Sequence, residues 1–349
     1  MQSDYKVVYD AASGRLLYIQ GAGTMMARHL ELNPPRLTGD PLVVANQVGV
    51  ANANGFADFS VSSTGTFFYA RGNGPVRLRF AWRDRTGKLL ETVGQPAEMG
   101  PTFRLSPDGS RVAISVGTPQ PDVWVLDLVR NLSTRLTFSN SAVPIWSPDG
   151  KQIYYRNEAG IYRKAADGSG EEELVRKGTG QSALQSISPD GKHLLFGDTD
   201  ILSLPLAGEP KPEPYLQSTF QESDAAFSPD GRWVAYRSNE SGKGEIYIQG
   251  FPERRGKWQV SSSGAGRPHW RADGKELFWS ATADQTLMAA AVDLQATGVR
   301  VGPAVPLFRM SSVSFQPARD GKRFLVQEPE GGQTTDRPMT VVLNWASSQ

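Results

Sequence analysis

Trp146-Ser147-Pro148-Asp149-Gly150-Lys151-Gln152-Ile153-Tyr154-Tyr155 is the stretch on which the reading of the fold turns. A bulky apolar residue leads into Ser-Pro-Asp-Gly, and a short apolar run leaves it. Proline pre-sets the backbone for the second position of a tight turn, aspartate tolerates the third, and glycine accepts a positive φ at the end. The same turn recurs at 106–109, 188–191 and 228–231, preceded by Leu105, Ile187 and Phe227. Weaker copies lie at 271–274, 318–321, 62–65 and 11–14. The closing glycines fall at 14, 65, 109, 150, 191, 231, 274 and 321, so the intervals are 51, 44, 41, 41, 40, 43 and 47. A period near forty with four short strands per unit is the signature of a β-propeller blade.

The expected fold is therefore all-β, an eight-bladed β-propeller of four-stranded antiparallel blades, with seven blades as the alternative. One domain would span 1–349, in units of about 5–46, 56–95, 100–139, 142–178, 182–218, 223–262, 266–310 and 313–347. The third unit is the cleanest, with strands expected at 102–105, 111–116, 122–128 and 133–138. The Asn/Gly/Ala-rich run 46–55 reads as the longest linker. No amphipathic helical period appears, which excludes helical bundles and α/β folds. Propellers usually close when one terminus completes the blade begun by the other. The residues before Val7 are few and polar, so the eighth blade is expected to be three-stranded or weakly closed.

Composition narrows the function. A net charge of +1 argues against a nucleic-acid binder, which would carry a basic stripe. The cluster Arg254, Arg255 and Lys257 falls at an expected hairpin tip. There are no cysteines, which removes disulfides, thiolate nucleophiles and cysteine metal sites. No apolar run approaches the roughly 18 residues that a membrane span needs. The first residues, Met1 to Tyr5, lack the charged and apolar regions of a signal peptide.

Catalytic chemistry is sought next. A Gly-x-Ser-x-Gly nucleophile elbow is absent. The three histidines, His29, His193 and His269, fall in different units without shared spacing, so no metal site is expected. The turn aspartates Asp108, Asp149, Asp190, Asp230, Asp273 and Asp320 would lie on a ring and cap their own turns. The glycine-rich 21–23 and 264–266 lack the helix that a phosphate cradle needs. Trp124, Trp146, Trp233, Trp270 and Trp279 hold repeated strand positions and are expected between blades; only loop aromatics such as Phe220 and Phe251 could form a stacking platform. No catalytic residue, cofactor or metal is expected.

At the residue level, Leu105 to Gly109 and Trp146 to Gly150 resemble the WD-repeat-like blade of TolB-type bacterial propellers. A wider resemblance rests on Leu16 to Ile19, Gly23 to Ala27, Leu37 to Pro41, Lys257 to Ser261, Asp273 to Phe278 and Val341 to Trp345. These are similar to the C-terminal propeller region of bacterial serine/threonine protein kinases. That resemblance implies a kinase or regulator domain upstream and an extracytoplasmic location. The kinase signatures themselves are absent from this chain.

The reading that follows is a non-catalytic module, sensory or scaffolding, that binds a protein, a peptide or a small ligand on one propeller face. The alternative is the gating propeller of a serine peptidase, or a small propeller enzyme. By fold analogy the loops entering each first strand make the face. They nominate Glu98, Met99, Ser141, Gln181, Glu222, Asp224, Arg267 and His269.

Overall fold

The repeated turn is held by its own side chains. Ser106 Oγ donates to Asp108 Oδ1 (2.6 Å) and accepts from the Arg111 N–H (2.9 Å), while the Gly109 N–H donates to the Ser106 carbonyl (2.8 Å). Ser147, Ser188 and Ser228 repeat the first bond to Asp149, Asp190 and Asp230. The Ser106 hydroxyl and the Ser110 N–H hold the Asp108 carboxyl down to about 2. Gly150 sits at φ +68°, and a side chain there would meet Pro107 of the preceding turn. Successive turns thus pack on one another.

In the computed structural model, residues 7–20, 23–51, 56–62, 66–70, 77–117, 120–178, 182–295, 297–330, 339–343 and 345 are described. Apart from a lone 3₁₀ position at Glu330, all regular structure among them is β, and the sheets are antiparallel. The chain divides into two compact units, Arg77–Glu330 and the pair of segments Met1–Val76 with Gly331–Gln349.

Arg77–Glu330 is a ring of six blades. Blade I joins Phe315–Pro317, Arg323–Pro329, Leu78–Asp84 and Leu89–Ala97 in that order. Blades II to V each use four consecutive strands. They begin with the inner strands Met99–Leu105, Ala142–Trp146, Leu184–Ile187 and Glu222–Phe227. Blade VI starts with Ala265–Trp270 and carries an added hairpin strand, Gly298–Val301, on the far half of Thr286–Gln295. Each inner strand contacts the next, and that of blade I touches those of blades VI and II, which completes the circle.

Period-two alternation puts every blade's apolar residues into two inter-blade cores. In blade I, Phe80, Trp82 and Leu325 pack with Phe103, Val112 and Ile114 of blade II. Ala81, Phe324 and Val326 point the other way, onto Phe278, Leu287 and Phe308 of blade VI. Four further clusters fill the remaining interfaces. Blade I carries the closure. Arg323–Pro329 pairs with Leu78–Asp84 from Arg323↔Asp84 to Pro329↔Leu78. Arg83 ion-pairs with Glu328 across this seam, and the Arg323 guanidinium lies 4.3 Å from the Trp82 ring centroid.

The expectation of eight blades in one domain is corrected here. Strands assigned from sequence to the second and eighth units share one sheet, because their partners lie far apart along the chain where a repeat period cannot pair them. Among the described residues of Arg77–Glu330 the ring holds six sheets, neither the expected eight nor the alternative seven. Met339–Val342, expected within the eighth unit, pairs instead with Phe67–Ala70. The weak turn at 63–65 and residues 1–6, on which the expected loose closure depended, lie outside the described residues.

The other unit has its own core. Val8–Asp10, Arg15–Gln20, Thr24–Leu32 and Pro35–Ala45 form one four-stranded sheet, and Phe59–Val61, Phe67–Ala70 and Met339–Val342 form a three-stranded one. Leu17, Ile19, Met25, Phe59, Phe67 and Trp345 pack together within it.

Phe324 is fully buried and makes edge contacts with Phe278, Phe308 and Phe315. Phe324→Ala should therefore cost about 3–5 kcal/mol in chemical denaturation, the range for deleting a buried phenyl group. A loss below about 1 kcal/mol would show that the seam is not packed as described.

Candidate functional site: the channel on the ring axis

Aligned on their turns, the six inner strands place equivalent residues around the axis. One residue before the bulky pre-turn position stand Arg104, Ile145, Ser186, Ala226, His269 and Gln316, from blades II, III, IV, V, VI and I. Two residues earlier stand Thr102, Val143, Leu184, Asp224, Arg267 and Ser314. All twelve line a cavity of about 600 Å³ that also touches Pro107, Pro148, Pro189 and Pro229 of the turns. The cavity is thus the axial channel of the ring, with the repeated turns among its walls.

The earlier layer lies on a repeated irregularity. Pairing between the first and second strands slips at Met99/Phe103, Ala142/Ile145, Leu184/Ser186, Ser223/Ala226 and Gly266/His269. In blades III, V and VI the bulged residue has positive φ: Val143 +55°, Asp224 +55° and Arg267 +56°. Such a conformation in a non-glycine residue costs on the order of 1–3 kcal/mol and is most unusual for β-branched valine. Bulges re-aim side chains and are frequent beside functional sites. Neighbouring blades hold them: the Val143 N–H donates to Ser115 Oγ (3.2 Å), and the Arg267 N–H donates to Asp224 Oδ2 (3.2 Å).

Arg267 Nη1 crosses the channel wall to donate to the Pro101 carbonyl of blade II (3.0 Å) and to Ser314 Oγ next to blade I (3.0 Å). Among the described residues, Arg104 donates to two backbone carbonyls, that of Phe103 at 3.2 Å and that of Gln185 at 3.4 Å. Neither guanidinium is ion-paired among the described residues. Burial, and then the Arg267 charge, push Arg104 down to about 10, with Asp224 pulling weakly the other way. His269 is depressed well below the usual imidazole range by burial and by both arginines, so it is neutral at neutral pH. Its ring lies edge-on to Phe315, and its Nε2 is 3.4 Å from Gln316 Nε2.

The remaining polar groups brace the wall. Gln185 Nε2 donates to the Gly197 carbonyl, and its Oε1 accepts from the Ala225 N–H (2.8 Å). Ser186 Oγ accepts from the Phe227 N–H (3.1 Å). The indoles of Trp146 and Trp270 donate back to the Arg104 and Ala226 carbonyls.

Of the nominated residues, Asp224, Arg267 and His269 line the channel. Glu98 and Met99 do not: Met99 packs beside the core between blades I and II. Ser141 is fully buried, and Glu222 is 4% exposed beneath its loop. Gln181 lies outside the described residues. Phe251 is packed against His193, Tyr215 and Phe227 and is no stacking platform. His193 faces Ser203, and His29 lies in the other unit against Gly14. Arg104, Gln185 and Gln316 lie within strands and escape a reading confined to loops. Aligning the units on the turn exposes them.

No protein-family model matches the chain, and no curated protein matches it in sequence. Its fold is similar to that of solved β-propellers. A protein from Agrobacterium tumefaciens described as TolB is 18% identical, with a TM-score of 0.57, over 73% of this chain and 99% of its own. TolB from Acinetobacter baumannii is 16% identical with a TM-score of 0.46, covering 90% and 78%. The periplasmic gluconolactonase PpgL from Pseudomonas aeruginosa is 15% identical with a TM-score of 0.46, covering 86% and 97%. The first of these likenesses supports the fold of a TolB-like propeller. Among the described residues, no helix is long and apolar enough to cross a membrane.

Glu222 supplies a pH test of the scaffold. Ser218 Oγ donates to its Oε1 (2.6 Å), but among the described residues Oε2 is buried without a hydrogen-bond partner, and burial raises its pKa. A raised carboxyl leaves stability intact below the unfolded-state value of about 4.3 and removes it as pH rises through the folded-state value. Glu222→Gln should therefore raise the melting temperature at pH 8, with the gain vanishing near pH 4. A gain independent of pH would contradict this.

Proposed function

We propose that Arg77–Glu330 is a non-catalytic binding module whose protein, peptide or small-molecule partner seats at the bulged end of the axial channel. The observation that carries this reading is the trio of strained bulges at Val143, Asp224 and Arg267. Three non-glycine residues are held in the left-handed region around one opening. Backbone strain of this kind persists where a side chain must be presented in a fixed direction. The groups presented are a carboxylate, a guanidinium and an isopropyl group, a set suited to recognition.

In the wider reading, this module is the sensory or interaction part of a bacterial signalling protein, with a kinase or regulator domain upstream. The resemblance of segments such as Lys257 to Ser261 and Val341 to Trp345 to kinase-associated propellers supports that role.

The test is retention of a partner from extracts of the native source by the immobilised full chain. Asp224→Ala with Arg267→Ala should reduce retention at least tenfold, with the circular dichroism spectrum unchanged. Substitutions on the exposed outer strand Leu132–Arg135 should leave it unaltered. The reverse pattern would move the binding surface to the rim and overturn the proposal.

A further inference from the structure

The channel is lined unevenly. Blades VI, I and II are consecutive around the ring and contribute Arg267, His269, Ser314, Gln316 and Arg104. The opposite arc, from blades III, IV and V, contributes Val143, Ile145, Leu184 and Ala226 together with Ser186 and Asp224. One side carries both arginines of the lining, and the other joins an apolar patch to the carboxylates of Asp198 and Asp224.

Among the described residues neither guanidinium of the arginine side lies within ion-pair distance of a carboxylate. Arg104 has five N–H donors and spends them on two backbone carbonyls at 3.2 and 3.4 Å, the second at the long limit of a hydrogen bond. A guanidinium removed from bulk water without a paired carboxylate is costly. Two aspartates share the cavity: Asp224 accepts from the Arg267 N–H and its charge also acts on Arg104, and Asp198 accepts from the Ala183 N–H (3.0 Å). The nearby charge felt more strongly by Arg104 is that of Arg267, a second cation. His269 stays neutral and adds an imidazole that can donate or accept. Arg267 is pinned by Pro101 and Ser314 through one nitrogen, and this orients its fork in advance.

We infer that the channel binds an organic carboxylate, taken by Arg104 with Arg267 alongside, with its apolar body against Val143, Ile145 and Leu184. The planar fork of arginine matches a carboxylate with two parallel hydrogen bonds. A cavity of about 600 Å³ accepts a small acid or the last residue of a peptide. This inference rests on the binding role proposed above and names the chemistry of its ligand.

The experiment is isothermal titration of the full chain with three probes: 3-phenylpropionate, N-acetyl-L-phenylalanine and N-acetyl-L-phenylalaninamide. The last two differ only in the carboxylate, which a neutral amide replaces. At least one acid should bind with a Kd below about 10 mM, and the amide at least tenfold more weakly. Arg104→Gln should weaken the acid tenfold or more, and Arg104→Lys less, because the charge remains while the fork is lost. Binding of N-acetyl-L-phenylalanine alone assigns the carboxylate to a chain terminus. Binding of 3-phenylpropionate, with or without it, assigns it to a free acid.

Equal affinity for acid and amide would overturn the inference without recourse to any variant, as would the absence of acid binding or an Arg104→Gln affinity unchanged in a folded protein. Loss of partner retention in the Asp224 and Arg267 variants, with no acid binding, would refute the carboxylate and leave the binding module standing. Acid binding that follows this pattern, with retention unaffected by those variants, would do the reverse.

Discussion

The pairing of Arg323–Pro329 with Leu78–Asp84 is the constraint on which the ring depends. Without it, blade I is two separate hairpins and the circle has two open edges, each a template for misassembly. With it, Phe80 and Trp82 complete one inter-blade core while Phe324 and Val326 complete another. The contacts it joins are non-local, such as Arg83 with Glu328, 245 positions apart. Their loop-closure entropy must be met before the packing rewards it, so folding by this route is slow relative to local-contact folds. The ion pair and the Arg323–Trp82 contact add specificity to a seam whose strength is mainly apolar.

The same closure makes the channel. Blade I supplies Ser314 and Gln316, and its neighbours on either side supply Arg267, His269 and Arg104. Arg267 reaches blade II and the start of blade I at once, so one side chain reports whether the three blades are in place. Burial then shapes the chemistry: it keeps His269 neutral and pushes Arg104 down. At the bulges the Arg267 N–H meets the Asp224 carboxylate while the Arg267 side chain reaches on to Pro101 and Ser314.

Much of this was legible in the sequence, because turns are local. Each Ser–Asp pair announces its hydrogen bonds within five residues, and the period near forty identifies the blade. The number of blades was not legible. A period counts strands and cannot say which strand pairs with which, so two half-blades at opposite ends of Arg77–Glu330 were counted twice. The remaining repeats, which belong to the other unit, were drawn into the same circle. Asp224, Arg267 and His269 were found because they stand near loop ends. Arg104 looked like any strand residue, since nothing in a single strand reveals that its edge faces an axis.

Hydrogen exchange of the native chain, read by mass spectrometry, tests the closure most directly. Peptides covering Leu78–Asp84 and Arg323–Pro329 should be protected as long as the second strands of blades II and V, Arg111–Val116 and Trp233–Ser238, and should open together. Rapid exchange of Arg323–Pro329 while Leu78–Asp84 and the other blades stay protected would contradict a closed six-bladed ring.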